Sequence, residues 1–420
     1  MGWIADFLYL LLVLLTSPLW LTRMIRTGKI RTDWAGRLGA ARDPGPDGGR
    51  RRLLIHAVSV GEINAVRLLV DELARRPGAP QIVIATTTDT GYARAVSLFG
   101  DRHPIVRYPF DFSFAVARFL KRVRPDVVAL VELEVWPNFT RACARRGIAV
   151  CVINGRLTAR SAGRYRRVLP LVRRSFRRLA FAAVQNEVYA RRFREVGVEP
   201  DRIRITGTMK WDTAQIADSV PGADDLVAAL GIDPTRPLVV AGSTAPDEHA
   251  LLRDAVGDGV QLLCAPRKPE WFEHAAADLP GCARRSRGDC GSKTGRFLLD
   301  TIGELRMAYA LADVVVIGRS FGHLHGSDMM EPVALGKPTI VGPAVSDFQA
   351  TVDALLAGDG LVQTDRASLA GAIASLLNDR RRCAQLAANG RAVIRSHQGT
   401  TARHADLLLQ LLTASAEHAS

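Results

Sequence analysis

Several ionisable side chains stand where apolar runs give way to helical patterns, and their types suit proton and charge transfer. Glu62 ends HAVSVGE (56–62), between the strand-like RRLLIHAVS and INAVRLLVDELARR, whose apolar residues recur at helical spacing. Glu132 and Glu134 open ELEVWPN (132–138), Arg156 lies in NGRLTARS (154–161) and Lys210 in GTMKWD (207–212). Glu62 admits two readings. Ser59-Val60-Gly61-Glu62 is S-x-x-E, the capping box that satisfies orphan amides at a helix start, and the helix dipole favours a carboxylate there. The carboxyl end of a strand is also where open α/β sheets place ligands, which would make Glu62, with Ser59 and Gly61, part of a site. Only one of Glu132 and Glu134 is expected to point into that site. A carboxylate following the buried run ALV needs a cation or a proton. Lys210 or Arg156 at neighbouring strand ends can supply the cation, in a site or in a structural ion pair. Arg at a strand end also suits a bidentate grip on a carboxylate or phosphate.

The second half repeats the pattern. AGSTAPDE places Ser243 and Thr244 before the helical EHALLRDAV, where hydroxyls and amides would seat a phosphate. Arg267 follows the run VQLLCAPR, Ile302-Gly303-Glu304 follows RFLLD, and HGSDMMEPVALGKP puts Glu331 at a helix start, as a cap or as partner to a ribose diol. His323 and His325 lack the carboxylate cluster of a metal site, and the six cysteines show no C-x-x-C pairing. Neither a metal centre nor a disulfide framework is expected.

The elements that must position these residues alternate. LLIHAVS, QIVIATTT, IVRYPF, DVVALVE, IAVCVING, FAAVQN and IRITGT are separated by helical patterns, the signature of a parallel sheet covered by helices. The rhythm lapses at WDTAQIADSVPGADD and resumes with PLVVAGS, VQLLCAPR, RFLLD, DVVVIGRS, PTIVGP and GLVQT. The expectation is an α/β protein of two doubly wound, Rossmann-like domains, 43–210 and 236–400, facing a central cleft. A linker at 211–235 and a C-terminal helix or tail at 401–420 complete it. WIADFLYLLLVLLTSPLWL (3–21), followed by a basic flank, makes 1–42 an expected membrane anchor, spanning or embedded. Its basic side lies in the cytoplasm, and it lacks the pattern of a cleavable leader. No G-x-G-x-x-G follows a strand, which argues against nicotinamide and flavin enzymes. LGKPT (335–339) is no P-loop, since Glu331 stands where the first glycine must be and Pro338 replaces Ser/Thr. The balance of 56 Lys+Arg against 42 Asp+Glu, a net +14, draws anionic partners. No nucleic-acid-binding module accompanies it.

Taken in order, HAVSVGE, ELEVWPN, NGRLTARS, GTMKWD, APRKPEWF (265–272), DTIGEL (300–305) and EPVALGKP (331–338) resemble the 3-deoxy-D-manno-octulosonic acid (Kdo) transferases of lipid A assembly. The resemblance runs from the N-terminal segment to about residue 400. It implies a GT-B glycosyltransferase that moves Kdo from CMP-Kdo, with inversion, onto the lipid A precursor (lipid IVA), a phosphorylated, acylated glucosamine disaccharide. The reaction would take place on the cytoplasmic face of the inner membrane, with neither cofactor nor metal. It implies Glu62 as general base, Glu132 and Lys210 as transition-state support, and CMP contacts at Pro266, Arg267, Ile302, Gly303, Glu304, Asp328 and Glu331. Ser59, Gly61, Arg156, Ser243 and Thr244 are further implied donor or acceptor contacts. Three stretches depart from the family pattern. Ser327 and Asp328 in HGSDMME replace the usual His and Asn. Ala245 stands where S-T-H-x-x-E has His, although Glu248 keeps the acidic position. GRS (318–320) replaces G-G-S. Two alternatives accompany these departures: a GT-B transferase of another nucleotide sugar onto an envelope lipid, and an inactive membrane-tethered binding homologue.

Overall fold

The computed structural model describes residues 6, 9–11, 16, 17, 22, 26 and 32–417. Most of the expected anchor helix, and the end of the expected tail (418–420), therefore lie outside the described residues. Among the described residues no helix is long and apolar enough to cross a membrane. Two described residues of that first segment are bonded to side chains more than a hundred positions along the chain: Asp6 accepts from the Asn138 carboxamide at 2.9 Å, and the Tyr9 hydroxyl donates to Asp111 at 3.0 Å.

The chain forms two compact units, one of residues up to Thr213 together with Gly399 onward, the other Ala214–Gln398. In the first unit the strands are β1 (Arg52–His56), β2 (Gln81–Thr86), β3 (Ile105–Arg107), β4 (Val127–Val131), β5 (Ala149–Gly155), β6 (Ala182–Val184) and β7 (Ile203–Ile205). They run in the order β3-β2-β1-β4-β5-β6-β7 with parallel pairings throughout. The central strands are apolar without alternation because helices cover both faces. Leu54, Val83, Val128 and Val152 enter the core on one side, and Leu53, Ile55, Ile84, Ala129 and Ile153 the core on the other. The second core is completed by the helix Thr400–Glu417 through Ala405, Leu408 and Leu412. The expected tail is thus an integral layer of the first unit.

The second unit holds β8 (Leu238–Thr244), β9 (Gln261–Pro266), β10 (Ala283–Arg284), β11 (Arg296–Leu298), β12 (Val314–Ile317), β13 (Thr339–Val341) and β14 (Val362–Gln363). Their order is β10-β11-β9-β8-β12-β13-β14, again parallel. The expected linker 211–235 is not a free connection. Trp211–Thr213 closes the first unit as a single helical turn, and residues from Ala214 belong to the second, where the helix Ala223–Leu230 buries Leu226 and Leu230. The strand rhythm lapses there because a helix is added with no strand of its own.

In both sheets the order reverses at the first strand, between β1 and β4 and between β8 and β12, so a crevice opens at those carboxyl ends. The backbone is strained there. Glu132, Asn154, Ser243 and Arg319 all have positive φ (61°, 50°, 58° and 57°), a conformation non-glycine residues rarely adopt. At the second switch point a β-carbon on Gly318 would lie 2.4 Å from the Thr244 Cα, so only glycine fits. The buried Glu248 carboxylate braces this crossing. It accepts the amides of Ala245 (2.9 Å), Arg319 (2.7 Å), Ser320 (3.0 Å) and Phe321 (3.0 Å). Glu248→Gln, which turns an NH₂ towards amide donors, is expected to cost about 2–3 kcal/mol and to lower the urea midpoint. An unchanged midpoint would show that the carboxylate does not hold the turn.

Candidate active site

Glu62 lies in the first turn of the helix Val60–Ala65, which begins just past β1. Its Oε2 accepts the Val58 amide at 2.8 Å and its Oε1 accepts the Ser59 hydroxyl at 3.2 Å. Ser59 makes no side-chain bond to the helix amides, so the expected capping box does not form. The hydroxyl that would cap is donated to the carboxylate instead. Gly61 is exposed, and a β-carbon there would find its nearest neighbour 3.8 Å away, so sterics do not demand glycine.

Glu62, Glu132, Glu134, Arg156, Thr158 and Ser161 line one cavity of about 260 Å³, floored by Val131 and Leu133. The expectation that only one of Glu132 and Glu134 could point inward fails: residues two apart share a face even in a strand, and here both line the cavity from the turn that follows β4. Glu134 accepts from the Trp136 indole at 2.8 Å. Glu134 entered the sequence reading only as an alternative to Glu132, and Thr158 and Ser161 not at all, although both lie within NGRLTARS.

Burial raises all three carboxyl pKa values. For Glu62 it prevails over the Val58 and Ser59 hydrogen bonds and, with repulsion from Glu132 and Glu134, pushes the group up to about 7. Glu132 is raised by burial against the opposing charges of Arg156 and Lys210. Glu134 is raised by burial against its Trp136 bond, with Glu132 adding to the rise.

Arg156 and Lys210 are exposed, and buried polar contacts position the backbone that carries them. The Arg156 amide donates to the Glu132 carbonyl at 3.2 Å. Asn154, buried and left-handed, accepts the Met209 amide at 3.3 Å on its Oδ1 and gives its own amide to His404 Nε2 at 2.9 Å. The other His404 nitrogen pairs with the Thr400 carbonyl at 2.8 Å, which makes Nδ1 the donor and Nε2 the acceptor. His404 carried no motif in the sequence; its role depends on the return of the last helix.

In the second unit Ser243, Arg267, Asp328 and Glu331 act on a buried phenol. Tyr309 packs beneath Gly242, and its ionisation is opposed first by burial, then by Glu331 and Asp328, while Ser243 and Arg267 act the other way. Pro266 closes β9 and is buried; Arg267 is exposed and its amide donates to the Thr244 carbonyl at 3.0 Å. Ile302 is 74 % exposed and Gly303 is left-handed, so this loop holds an apolar side chain out to solvent. The Glu304 carboxylate is taken by Arg285, at 2.9 and 3.1 Å, and by the Thr301 hydroxyl. Asp328 accepts the Met330 amide at 2.8 Å; Glu331, half-buried and raised by burial, lies 3.5 Å from Arg306. The expected phosphate seat at Ser243-Thr244 is altered. Thr244 is fully buried with its hydroxyl 3.1 Å from His249 Nε2, and Glu248 already occupies the amide of Ala245.

Two doubly wound parallel sheets, one with clustered carboxylates at its switch point, are the architecture of the GT-B glycosyltransferases. In fold the protein is similar to a glycosyltransferase from Rickettsia africae (TM-score 0.58, 11 % identity, 87 % of this chain and 99 % of that one). It is also similar to MurG of Acinetobacter baumannii (TM-score 0.55, 15 % identity, 86 % and 99 %). Residues 32–213 match the family described as 3-deoxy-D-manno-octulosonic-acid transferase. The protein is 34 % identical to the 3-deoxy-D-manno-octulosonic acid transferase of Bordetella pertussis over 89 % of this chain and 90 % of the relative. It is 29 % identical to that of Haemophilus influenzae over 96 % and 97 %. The chain belongs to the Kdo transferase family.

A carboxyl raised from 4.5 to about 7 keeps, between those values, a proton that the unfolded chain has lost. Stability from this group therefore falls as pH rises through that window. Glu62→Gln is expected to raise Tm at pH 8 and to leave it nearly unchanged at pH 5. A Tm change equal at both pH values would remove the case for a destabilised carboxylate.

Proposed function

We propose that the protein transfers Kdo from CMP-Kdo, with inversion at the anomeric carbon, to lipid IVA, a phosphorylated and acylated glucosamine disaccharide, at the cytoplasmic face of the inner membrane. The observation that carries this reading is the Glu62 carboxyl, held at a sheet switch point by one amide and one hydroxyl and poised near pH 7. An acceptor hydroxyl must lose its proton as it attacks, and a base with pKa near the working pH does this better than an ordinary glutamate. CMP departs as a phosphate anion and needs no proton. Glu132, Arg156 and Lys210 supply charge to the developing transition state, the cations also meeting the carboxylate of Kdo. In the second unit Glu331 suits the ribose diol, Arg267 the phosphate, and the exposed Ile302 a base face. The net charge of +14 suits an anionic lipid acceptor. A different nucleotide sugar is the second reading. It is favoured by the withdrawal of the Thr244 hydroxyl and by the exposed Asp328.

Product mass spectrometry with CMP-Kdo and a tetra-acylated, bis-phosphorylated glucosamine disaccharide is expected to give a Kdo-sized addition, reduced about 10²–10⁴-fold in Glu62→Gln. Turnover with another nucleotide sugar alone would select the second reading. Equal transfer by parent and variant would return Glu62 to a structural role. Since the base works deprotonated, kcat/KM is expected to rise with pH to a plateau above about 7. A flat profile from pH 5 to 9 would exclude Glu62 as the titrating group.

A further inference from the structure

Apart from the loops assigned to the nucleotide, three metal-ligating side chains converge in the second unit. His249 opens the helix His249–Ala255; His274 and Asp278 stand four residues apart on the helix Phe272–Asp278 and so share a face. His274 Nδ1 lies 3.0 Å from Asp278 Oδ2, and His249 Nδ1 lies 3.7 Å from the same oxygen. One ligand atom from each of the three residues lies within 4.8 Å of the other two. Four-coordinate zinc with nitrogen and oxygen ligands at about 2.0–2.1 Å sets its ligand atoms roughly 3.3 Å apart. The two separations bracket that value.

His249 shows that the cluster is more than a surface ion pair. Its side chain is fully buried, and Nδ1 has no hydrogen-bond partner. At 3.7 Å the Asp278 oxygen is too far for a hydrogen bond, so a buried nitrogen is aimed at a carboxylate with a gap between them. The other nitrogen, Nε2, pairs with the Thr244 hydroxyl at 3.1 Å, the kind of contact that fixes the ring and tautomer of a metal-bound histidine. The Arg253 guanidinium donates to the Asp278 backbone carbonyl at 2.9 Å. His274 and Asp278 are 54 % and 28 % exposed, which provides an entry path and room for water as fourth ligand.

We propose that His249, His274 and Asp278 form a binding site for a divalent metal of the zinc class. The site departs from the expectation of no metal, and His323 and His325 are not part of it. The metal takes no part in transfer. It fastens His249, and with it the neighbouring Thr244 and Glu248, which carry the crossing at β8 and β12.

The test is a Co(II) titration of the full-length protein after chelator treatment, with Zn(II) as competitor. Parent protein is expected to bind one equivalent with the visible spectrum of tetrahedral Co(II), to release it to Zn(II), and to gain thermal stability with Zn(II). His274→Ala, at an exposed position, and Asp278→Asn, at a partly buried one, are expected to weaken binding by at least about tenfold and to lose the Zn(II)-dependent Tm gain. Stoichiometric binding unchanged in both variants, or no stoichiometric binding by the parent, would overturn the proposal whatever the transferase activity.

Discussion

Three carboxyl groups share a cavity of about 260 Å³, and the cost of ionising them together governs the first unit's site. Burial disfavours each carboxylate, and repulsion from neighbouring carboxylates adds to it for Glu62 and Glu134. The offsets are few: one amide and one hydroxyl on Glu62, an indole on Glu134, and the charges of Arg156 and Lys210 on Glu132. Burial first, and the neighbouring carboxylates behind it, keep the proton affinity of Glu62 high enough for a base near neutrality.

The second unit shows the same side chain under the opposite condition. Glu248 also sits past a switch-point strand, yet it accepts four backbone amides and is fully buried. A carboxylate with that many donors is a brace, with no oxygen left for a substrate proton. Burial raises both groups, but Glu62, with two donors, faces an open cavity where a substrate proton can reach it. The number of donors, rather than the residue type or its place in the fold, separates the reactive glutamate from the structural one. The crossing held by Glu248 also carries strain. Arg319 takes a left-handed conformation where the family pattern has glycine, at a cost on the order of 1 kcal/mol.

The sheets were legible in the sequence because their strands are buried on both faces and read as unbroken apolar runs. Glu62, Glu132, Arg156 and Lys210 were legible because polar residues past parallel strands have few reasons to be charged. What escaped reading was set by local backbone or distant partners. Glu134 was set against Glu132 although alternation puts residues two apart on one face; the turn at Glu132 keeps both in the cavity. The capping box at Ser59 failed because its hydroxyl had a second acceptor in the same motif. The phosphate seat at Thr244 failed because His249 and Glu248, a few residues on, claimed the hydroxyl and the amide.

The last helix is the clearest case of a distant partner. Its apolar residues Ala405, Leu408 and Leu412 complete a core that includes Cys151 and Ile153 of β5, the strand whose Asn154 precedes His404 by 250 positions. Hydrophobic burial alone would fix the helix on the sheet but leave its rotation and register loose. The His404 ring, buried and held neutral with a pKa lowered to about 4, accepts the Asn154 amide and thereby sets both. Asn154 in turn holds Met209, the residue before Lys210, and shares its turn with Arg156. The cations that temper Glu132 are therefore placed by a contact made only after the chain has completed its second unit and returned.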